Sequence, residues 1–477
     1  MLMMMTDTTF LFFLLPISFI ACFLKSGLQK LVLLAISLYF YSVGSPEYFK
    51  LFLGLTVINT CISYVIPLFR SEVPKKALLI LGIVINAGLL FYYKYFDFTI
   101  EIFNGVTGSS IAARDLLLPM GISFFTFKSI SLLIDVYKGK VTLQKNPIYP
   151  LLYLSFFGQI VSGPIGRYED FYEEDDSSFD IRQKADDFTD GAYLFMRGFC
   201  KKVLIANVMS PLVSEIFGAD PAESSASLLW LGSVIYSLQL YYDFSGYSDM
   251  AIGIGRIFGI GCHENFNYPY CTQSISEFWR RWHITLGRWF RDYIYIPLGG
   301  SRSGGKWRVY FNLFVVWLLT GIWHGANFTF IFWGLTYFIA ISAEKYLGLP
   351  DRLKSGVSKA LYRVFTLIFI NLEWVMFNSS DIKSGLSYIF HMFVSGGSAM
   401  SDARTMVLLQ EYGIILLAAV VFATPVIPKI KKILSDHEGL PAKAADVCMA
   451  CVLAALFIFS ISFVIAGQNN PFLYGNF

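Results

Sequence analysis

Long apolar stretches recur along the whole chain and are separated by short polar or basic segments. A helix of about 20 mostly apolar residues spans the hydrocarbon core of a bilayer, so each stretch predicts a membrane helix. The stretches are 9–24, 28–43, 48–68, 77–97, 115–137, 188–217, 226–258, 309–322, 326–344, 357–378, 406–426 and 444–466. The pattern predicts an all-α polytopic membrane protein with roughly eleven transmembrane helices plus re-entrant and amphipathic helices.

One apolar segment, 149–165, is shorter and contains Gly158, Gly163 and Pro164. We expect it to enter the membrane and turn back. Irregular backbone at that depth is tolerated only where protein or a wet cavity surrounds it.

Composition agrees with a membrane environment and indicates an orientation. Hydrophobic residues make up 55% of the chain and charged residues only 15%, whereas a soluble domain carries roughly 25% charged residues. The net charge of +3 is too small to indicate a nucleic-acid partner. Basic residues collect in cytoplasmic loops, which predicts that 280–308 and 345–363 are cytoplasmic and that both termini are outside. Residues 1–24 lack a basic start and a cleavage site, so we expect a retained helix.

The seven cysteines lie mostly in apolar runs, and only Cys448 and Cys451 show a CxxC spacing. These two lie one helical turn apart in an apolar stretch, which favours small buried side chains over metal ligands. We predict neither disulfides nor a metal site.

The segment 275–298 interleaves basic and aromatic residues. Its arginines are Arg280, Arg281, Arg288 and Arg291, and its apolar stripe is Trp279, His283, Leu286 and Phe290. The stripe has helical spacing, so the segment predicts one basic amphipathic helix with His283 on its aromatic face. Such a helix either lies on the membrane surface or lines a cytoplasmic funnel whose guanidiniums meet an anionic substrate. Arg291 and Asp292 are correspondingly a surface ion pair or a substrate clamp.

Two of the five histidines, His283 and His324, lie in apolar and aromatic sequence. An ionisable residue inside a membrane indicates a functional site. The stretches 309–322 and 326–344 predict a hairpin with His324 at its apex. Asn327 is expected to share the helical face of His324 and hold its tautomer.

Two aspartates in apolar sequence also need partners. Asp243 and Asp249 flank an SGYS sequence. We expect one of them to pair with a buried arginine such as Arg256, because an unpaired charge is costly there.

Several motifs together resemble the membrane-bound O-acyltransferase (MBOAT) superfamily, in particular its bacterial alginate O-acetyltransferase-like branch. They are PMGISF (119–124), QIVSGPIGR (159–167), YDFSGYSDMAIG (242–253), ENF (264–266), SEFWRRWHITL (276–286), IWHGAN (322–327) and PFLYGNF (471–477). The resemblance runs from about residue 10 to the C-terminus. It implies one domain over 1–477, with N-terminal helices 9–137, a catalytic core of about 149–345, and C-terminal helices 357–466 with an FxYxxF tail at 472–477.

The resemblance implies roles for individual residues. His324 corresponds to the family's catalytic histidine, and imidazole is a suitable base for a hydroxyl proton. His283 corresponds to a second functional histidine that orients substrate or stabilises an oxyanion. Tyr474 is a candidate acyl relay, although Gly475 and Asn476 depart from the branch's usual ending. Further candidates to line a substrate tunnel are Trp323, Asn327, Trp279, Arg291, Asp292 and Gln159.

Without the resemblance, each of these residues has a structural explanation. His324 would form a hydrogen bond with a neighbouring helix, and His283 would lie at the membrane interface. Tyr474 would be an aromatic anchor at that interface. With the resemblance, we expect an inner-membrane O-acyltransferase without a bound cofactor. Its donor would be acetyl-CoA or another acyl thioester, including an acyl-carrier protein. An SGNH-hydrolase-like partner would complete the O-acylation of an extracytoplasmic polysaccharide. The alternatives are D-alanyl transfer to teichoic acid, lipid or sterol acylation, and a transporter that forms no covalent bond.

Overall fold

The computed structural model describes residues 4–172, 181–301, 305–394, 400, 402–435 and 440–467. These residues form helices and loops, and their only β-type pairing is an isolated antiparallel bridge between Phe266 and Trp282. The α-helices are α1 (Leu15–Phe19), α2 (Ser26–Gly44), α3 (Phe49–Val65), α4 (Glu72–Leu90), α5 (Phe96–Thr107), α6 (Ile122–Tyr137), α7 (Ile148–Ser155), α8 (Phe157–Ile160), α9 (Tyr168–Phe171), α10 (Ile181–Cys200), α11 (Asn207–Gly218), α12 (Ala226–Ile257), α13 (Ile275–Arg281), α14 (Ile284–Phe290), α15 (Gly305–His324), α16 (Phe328–Leu347), α17 (Gly356–Asn378), α18 (Ile382–Phe393), α19 (Ala403–Phe422), α20 (Val426–Ser435) and α21 (Leu440–Ile465). The predicted all-α fold is confirmed.

Within the described residues, six helical segments are long and apolar enough to cross a membrane. They are Ser26–Gly44, Pro46–Leu68, Glu72–Thr107, Gly356–Asn378, Ala403–Phe422 and Asp446–Ile465. The other predicted stretches are helical too, but they are shorter or more polar. A helix enclosed by other helices can carry polar side chains, because protein rather than lipid contacts them. The total of roughly eleven spans stays a prediction.

Helix α12 packs against α8, α10, α11, α17, α18 and α19, and most of its residues are buried. Its contact with α10 is very close. A Cβ atom on Gly198 would lie 2.4 Å from the carbonyl oxygen of Gly246. Small residues allow helix backbones to approach in this way, and the two glycines fix α10 against the centre of the fold.

Both aspartates of α12 form ion pairs with basic residues at the end of α10 and in the π-helical turn that follows it. Asp243 pairs with Lys202, and both side chains are buried. Asp249 contacts Arg197 at 3.0 Å and Lys201 at 2.7 Å. Charges enclosed by helices require such partners, so these pairs fasten the same helix contact.

The prediction that Arg256 pairs with one of these aspartates was wrong. Arg256 contacts Asp190 at 2.8 Å and Asp187 at 3.5 Å, both on α10. Arg256 follows Asp249 by seven residues on one helix, a rise of about 10 Å at 1.5 Å per residue. Its side chain therefore meets a different turn of α10.

Two other predicted features concern chain reversals. Helices α15 and α16 pack together as the expected hairpin, and a Cβ atom on Gly321 would lie 2.4 Å from the carbonyl oxygen of Phe330. Segment 149–165 contains two short helices, α7 and α8, joined at Phe156. Its central residues are fully buried in protein. Whether this segment re-enters the membrane stays a prediction.

Candidate active site

His324 is the last residue of α15 and lies in an aromatic enclosure. Its ring centroid lies 5.0 Å from that of Trp323, 5.1 Å from that of Trp333 and 5.1 Å from that of Phe377. The side chain is buried, with 2% of the residue exposed. The chain turns at the next residue, Gly325, where a Cβ atom would lie 2.2 Å from the ring of Phe330. Only glycine fits this turn without moving that ring.

Asn327 does not share a helical face with His324, so that prediction was wrong. The helix ends at His324, and Asn327 caps the next helix by accepting a hydrogen bond from the backbone N–H of Thr329 at 3.0 Å. Its amide nitrogen donates to the carbonyl oxygen of Ser380 at 2.7 Å. An asparagine at an N-cap satisfies an otherwise unpaired helix donor, which explains its position.

The segment 275–298 is not one continuous helix, and the predicted stripe on a single face was wrong. Helix α13 ends at Arg281, His283 has a left-handed backbone with φ of 44°, and α14 begins at Ile284. The extended segment around Asn265 supplies the reason. The Asn265 carbonyl accepts from the N–H of Ile284 at 3.0 Å, and the N–H of Asn267 donates to the Arg281 carbonyl at 2.9 Å. These tertiary hydrogen bonds replace helical ones.

This break carries the ring of His283 into the interior, where 1% of the residue is exposed. Nδ1 of His283 lies 3.1 Å from Oδ1 of Asn265. The same oxygen accepts from the N–H and hydroxyl of Thr285 at 3.2 and 2.8 Å. Because Oδ1 is an acceptor, Nδ1 carries the proton, and Nε2 carries the lone pair.

The environment keeps His283 neutral. Burial lowers the pKa of His283 to about 3, and no described residue forms a hydrogen bond with its Nε2 atom. Neutral imidazole with a free lone pair accepts a proton or a hydrogen bond. The predicted interfacial alternative for His283 therefore does not fit the structure.

Trp323 lies close to both histidines. Its ring centroid is 6.0 Å from that of His283 and 5.0 Å from that of His324. On another side it packs against Phe127, whose ring stacks on Trp289 at 3.8 Å. The structure thus brings His283 next to Trp323 and His324, which follow it by 40 and 41 positions in the sequence.

Trp279 and Gln159 lie farther from this pair. Trp279 packs edge-on against Trp333 at 5.5 Å, so it supports the wall behind His324. Gln159 accepts from Nζ of the buried Lys128 at 3.0 Å and donates to Sγ of Cys262 at 2.8 Å. Both roles in lining a tunnel stay predictions.

A polar cavity of about 310 Å³ lies beside the histidine pair. Its lining residues are Ile165, Arg167, Asp170, His263, Thr285, Arg288, Trp289 and Arg291. Thr285 shares the Asn265 oxygen with His283, and Trp289 stacks on the neighbour of Trp323. Asn265 therefore links the cavity wall to His283, and Phe127 and Trp323 link it to His324.

Arginines give the cavity a positive character. Arg291 donates to Asp292 at 2.7 Å, and Arg167 also pairs with Asp292. Although burial raises it, the hydrogen bond from Arg291 and the charge of Arg167 hold the pKa of the Asp292 carboxyl below its usual value. Asp170 contacts His263 at 3.0 Å. Guanidiniums held in this way match the geometry of phosphate or carboxylate oxygens.

Comparison with known proteins decides the family. A model described as MBOAT, membrane-bound O-acyltransferase family, matches residues 144–377. The chain is 38% identical over 432 residues to the probable alginate O-acetylase AlgI of Pseudomonas aeruginosa, covering 88% of this chain and 81% of that protein. The chain belongs to the membrane-bound O-acyltransferase family.

Other relatives agree with this assignment. The peptidoglycan O-acetyltransferase of Helicobacter pylori is 33% identical over 98% of this chain and 96% of its own length. The teichoic acid D-alanyltransferase of Bacillus subtilis is 29% identical over 55% of this chain and 68% of its own length. As an MBOAT member, the protein is a polytopic membrane enzyme, an O-acyltransferase that uses an acyl donor. The non-covalent transporter hypothesis loses its basis.

Sequence reasoning missed part of this MBOAT site. Asn265 belongs to a motif that was recognised, but its contact with His283 depends on a chain crossing that no local pattern shows. Arg167 and His263 reach the cavity from separate loops and became visible only in the fold. Tyr474 lies outside the described residues, so its role stays a prediction.

Proposed function

We propose that this MBOAT enzyme transfers an acetyl or similar small acyl group from a cytoplasmic thioester to a hydroxyl of an extracytoplasmic polysaccharide. The observation that carries the proposal is the pair of buried histidines around Trp323 beside an arginine-lined cavity. The names of the alginate and peptidoglycan relatives support a polysaccharide acceptor.

His324 acts as the general base. It takes the proton of the acceptor hydroxyl while the oxygen attacks the thioester carbonyl carbon. The tetrahedral intermediate then collapses with cleavage of the carbon–sulfur bond. The proton on His324 passes to the leaving thiolate, which gives an ester and a free thiol. A base of this kind accelerates proton transfer by about 10²- to 10⁴-fold.

His283 orients the acceptor. With its proton on Nδ1, held by Asn265, its Nε2 atom accepts a hydrogen bond from a hydroxyl group. A neutral imidazole in this tautomer has no proton to offer an oxyanion at Nε2. Of the two roles expected from sequence, the hydrogen bonding therefore favours substrate orientation.

The arginine-lined cavity binds the phosphate groups of the donor. Arg167, Arg288 and Arg291 supply guanidiniums for phosphate oxygens. Acetyl-CoA carries such phosphates at the end remote from its thioester. The thioester then lies toward Trp289 and Trp323, near the histidines. By the positive-inside rule, this cavity faces the cytoplasm of an inner-membrane protein, with both termini outside.

A second protein completes the reaction on the outer face. An SGNH-hydrolase-like partner would take the acyl group to the polysaccharide, and Tyr474 would serve as the relay if the tail reaches His324. D-alanyl transfer to teichoic acid is the weaker candidate, since likeness to the Bacillus subtilis enzyme extends over only 55% of this chain.

The acceptor is tested in cells that lack this gene and carry plasmids for wild-type protein or His324→Ala. Base-labile acetate and D-alanine esters are measured on isolated envelope and exported polysaccharides. We expect wild-type protein to restore acetate esters and His324→Ala not to do so, with D-alanine esters constant. Restored D-alanine esters with unchanged acetate would instead support the D-alanyl alternative.

A further inference from the structure

A buried lysine contacts the end of the helix that carries His324. Lys94 lies in the π-helical turn Phe91–Tyr95, between α4 and α5. Its Nζ atom donates to the carbonyl oxygen of Trp323 and lies 3.4 Å from the hydroxyl of Ser123. The same nitrogen lies 5.7 Å from the centroid of the Trp323 ring. Neither the sequence motifs nor the mechanism above uses this residue.

The neighbouring residue makes a second contact with the same helix end. The hydroxyl of Tyr95 donates to the carbonyl oxygen of Ile322 at 2.9 Å. The π-helical turn therefore presents two successive side chains to two successive carbonyl groups. π-Helical turns within α-helices frequently occur at functional sites.

These carbonyl groups belong to the last turn of α15, which ends at His324. The last four carbonyls of a helix have no partner within it. Lys94 and Tyr95 thus satisfy the backbone immediately before His324, where the chain leaves the helix.

We propose that Lys94 and Tyr95 are positioning residues that hold the end of α15 and thereby set the orientation of the His324 ring. This inference rests on the proposed role of His324 as the base. The two side chains act through the backbone of Ile322 and Trp323. Neither lines the arginine cavity, so their loss reduces the chemical step rather than donor binding.

The test is steady-state release of free thiol from acetyl-CoA by purified full-length protein in nanodiscs, with isolated envelope polysaccharide supplied as the hydroxyl acceptor. We expect Lys94→Met, which keeps the side-chain length but removes the donor, to lower kcat by about 10²-fold through misplacement of the base. KM for acetyl-CoA stays within about twofold, since donor binding is unchanged. Lys94→Gln, which retains an N–H donor, recovers part of kcat.

Tyr95→Phe provides an independent variant with a matched control in the same turn. It removes one hydrogen bond and should lower kcat by about tenfold. Tyr92→Phe makes the same chemical change three residues earlier, where the hydroxyl accepts from Arg114 at 3.1 Å on the exposed side. We expect wild-type kcat for Tyr92→Phe.

The outcomes separate this inference from the proposed function. If His324→Ala loses turnover while Lys94→Met and Tyr95→Phe keep wild-type kcat, the positioning role is overturned alone. Full turnover in His324→Ala overturns the proposed function and the positioning role with it. If Lys94→Met does not fold, Tyr95→Phe against Tyr92→Phe decides.

Discussion

Oδ1 of Asn265 lies 3.1 Å from Nδ1 of His283 and fixes which ring nitrogen carries the proton. The same oxygen accepts from Thr285, whose side chain lines the arginine cavity. Asn265 is thus the link between the proposed donor cavity and the histidine that we propose to orient the acceptor. A substitution of Asn265 would therefore affect both the cavity and His283.

We therefore expect Asn265→Ala to lower kcat by about 10- to 100-fold, because His283 loses its fixed tautomer. Asn267→Ala is the matched control, since Asn267 lies two residues away and its side chain is exposed. Thiol release from acetyl-CoA in nanodiscs measures both. Equal kcat values for the two variants would contradict the linking role of Asn265.

Stability should fall with acid because His283 is buried as the neutral ring. Its pKa is about 3 in the fold and about 6.5 in an unfolded chain. Below pH 6.5 the unfolded state binds the proton first, so the free energy of unfolding falls until pH approaches 3. Between pH 7 and 5 this one group removes about 2 kcal/mol.

Thermal unfolding midpoints of wild-type protein and His283→Gln, compared at pH 7 and 5, check this acid effect. The variant lacks the titrating group, so its midpoint should decrease less than that of the wild type. The same decrease in both proteins would show that His283 already carries a proton in the fold or is not buried.

The arginine cavity predicts a defect confined to donor binding. Arg288→Gln should raise KM for acetyl-CoA by about tenfold, the effect of losing one charge-assisted hydrogen bond, with little change in kcat. Arg280→Gln is the control because Arg280 is exposed and does not line the cavity. With acetyl-pantetheine, which lacks phosphates, Arg288→Gln and wild type should have equal KM values. A KM effect that persists with this substrate would contradict phosphate binding.

The close packing of the turn after His324 predicts that adding a single methyl group at Gly325 lowers activity. Gly325→Ala would place a Cβ atom 2.2 Å from the ring of Phe330, which displaces the ring or the turn. We expect kcat to fall by about 10²-fold through a shift of the base, and Phe330→Leu in the same chain to recover part of it. Gly413→Ala, where no atom lies within 4 Å, should retain wild-type activity. Wild-type kcat in Gly325→Ala would show that the turn adapts.

The helices could be predicted from the sequence, since runs of apolar residues specify them locally. The break at His283 could not, because the spacing of Trp279, His283 and Leu286 also fits an unbroken helix. The break follows from two tertiary hydrogen bonds, in which Asn265 accepts from the N–H of Ile284 and Asn267 donates to the carbonyl oxygen of Arg281. The cap at Asn327 was missed for a related reason, because an N-cap and a helix-face residue differ only in where the previous helix ends. The cavity depends on loops that meet through tertiary packing, which spacing does not encode.

The most direct test of the account compares wild type, His324→Gln and His324→Ala in nanodiscs with acetyl-CoA. Glutamine keeps a hydrogen bond but does not take up a proton. His324→Gln should therefore be inactive if His324 is a general base, and active if His324 has only a structural role. The account predicts that both variants lose about 10³-fold in thiol release and transfer of radioactive acetyl, with protein folded to the same extent. His324→Gln with activity close to that of the wild type would contradict the assignment of His324 as the catalytic base.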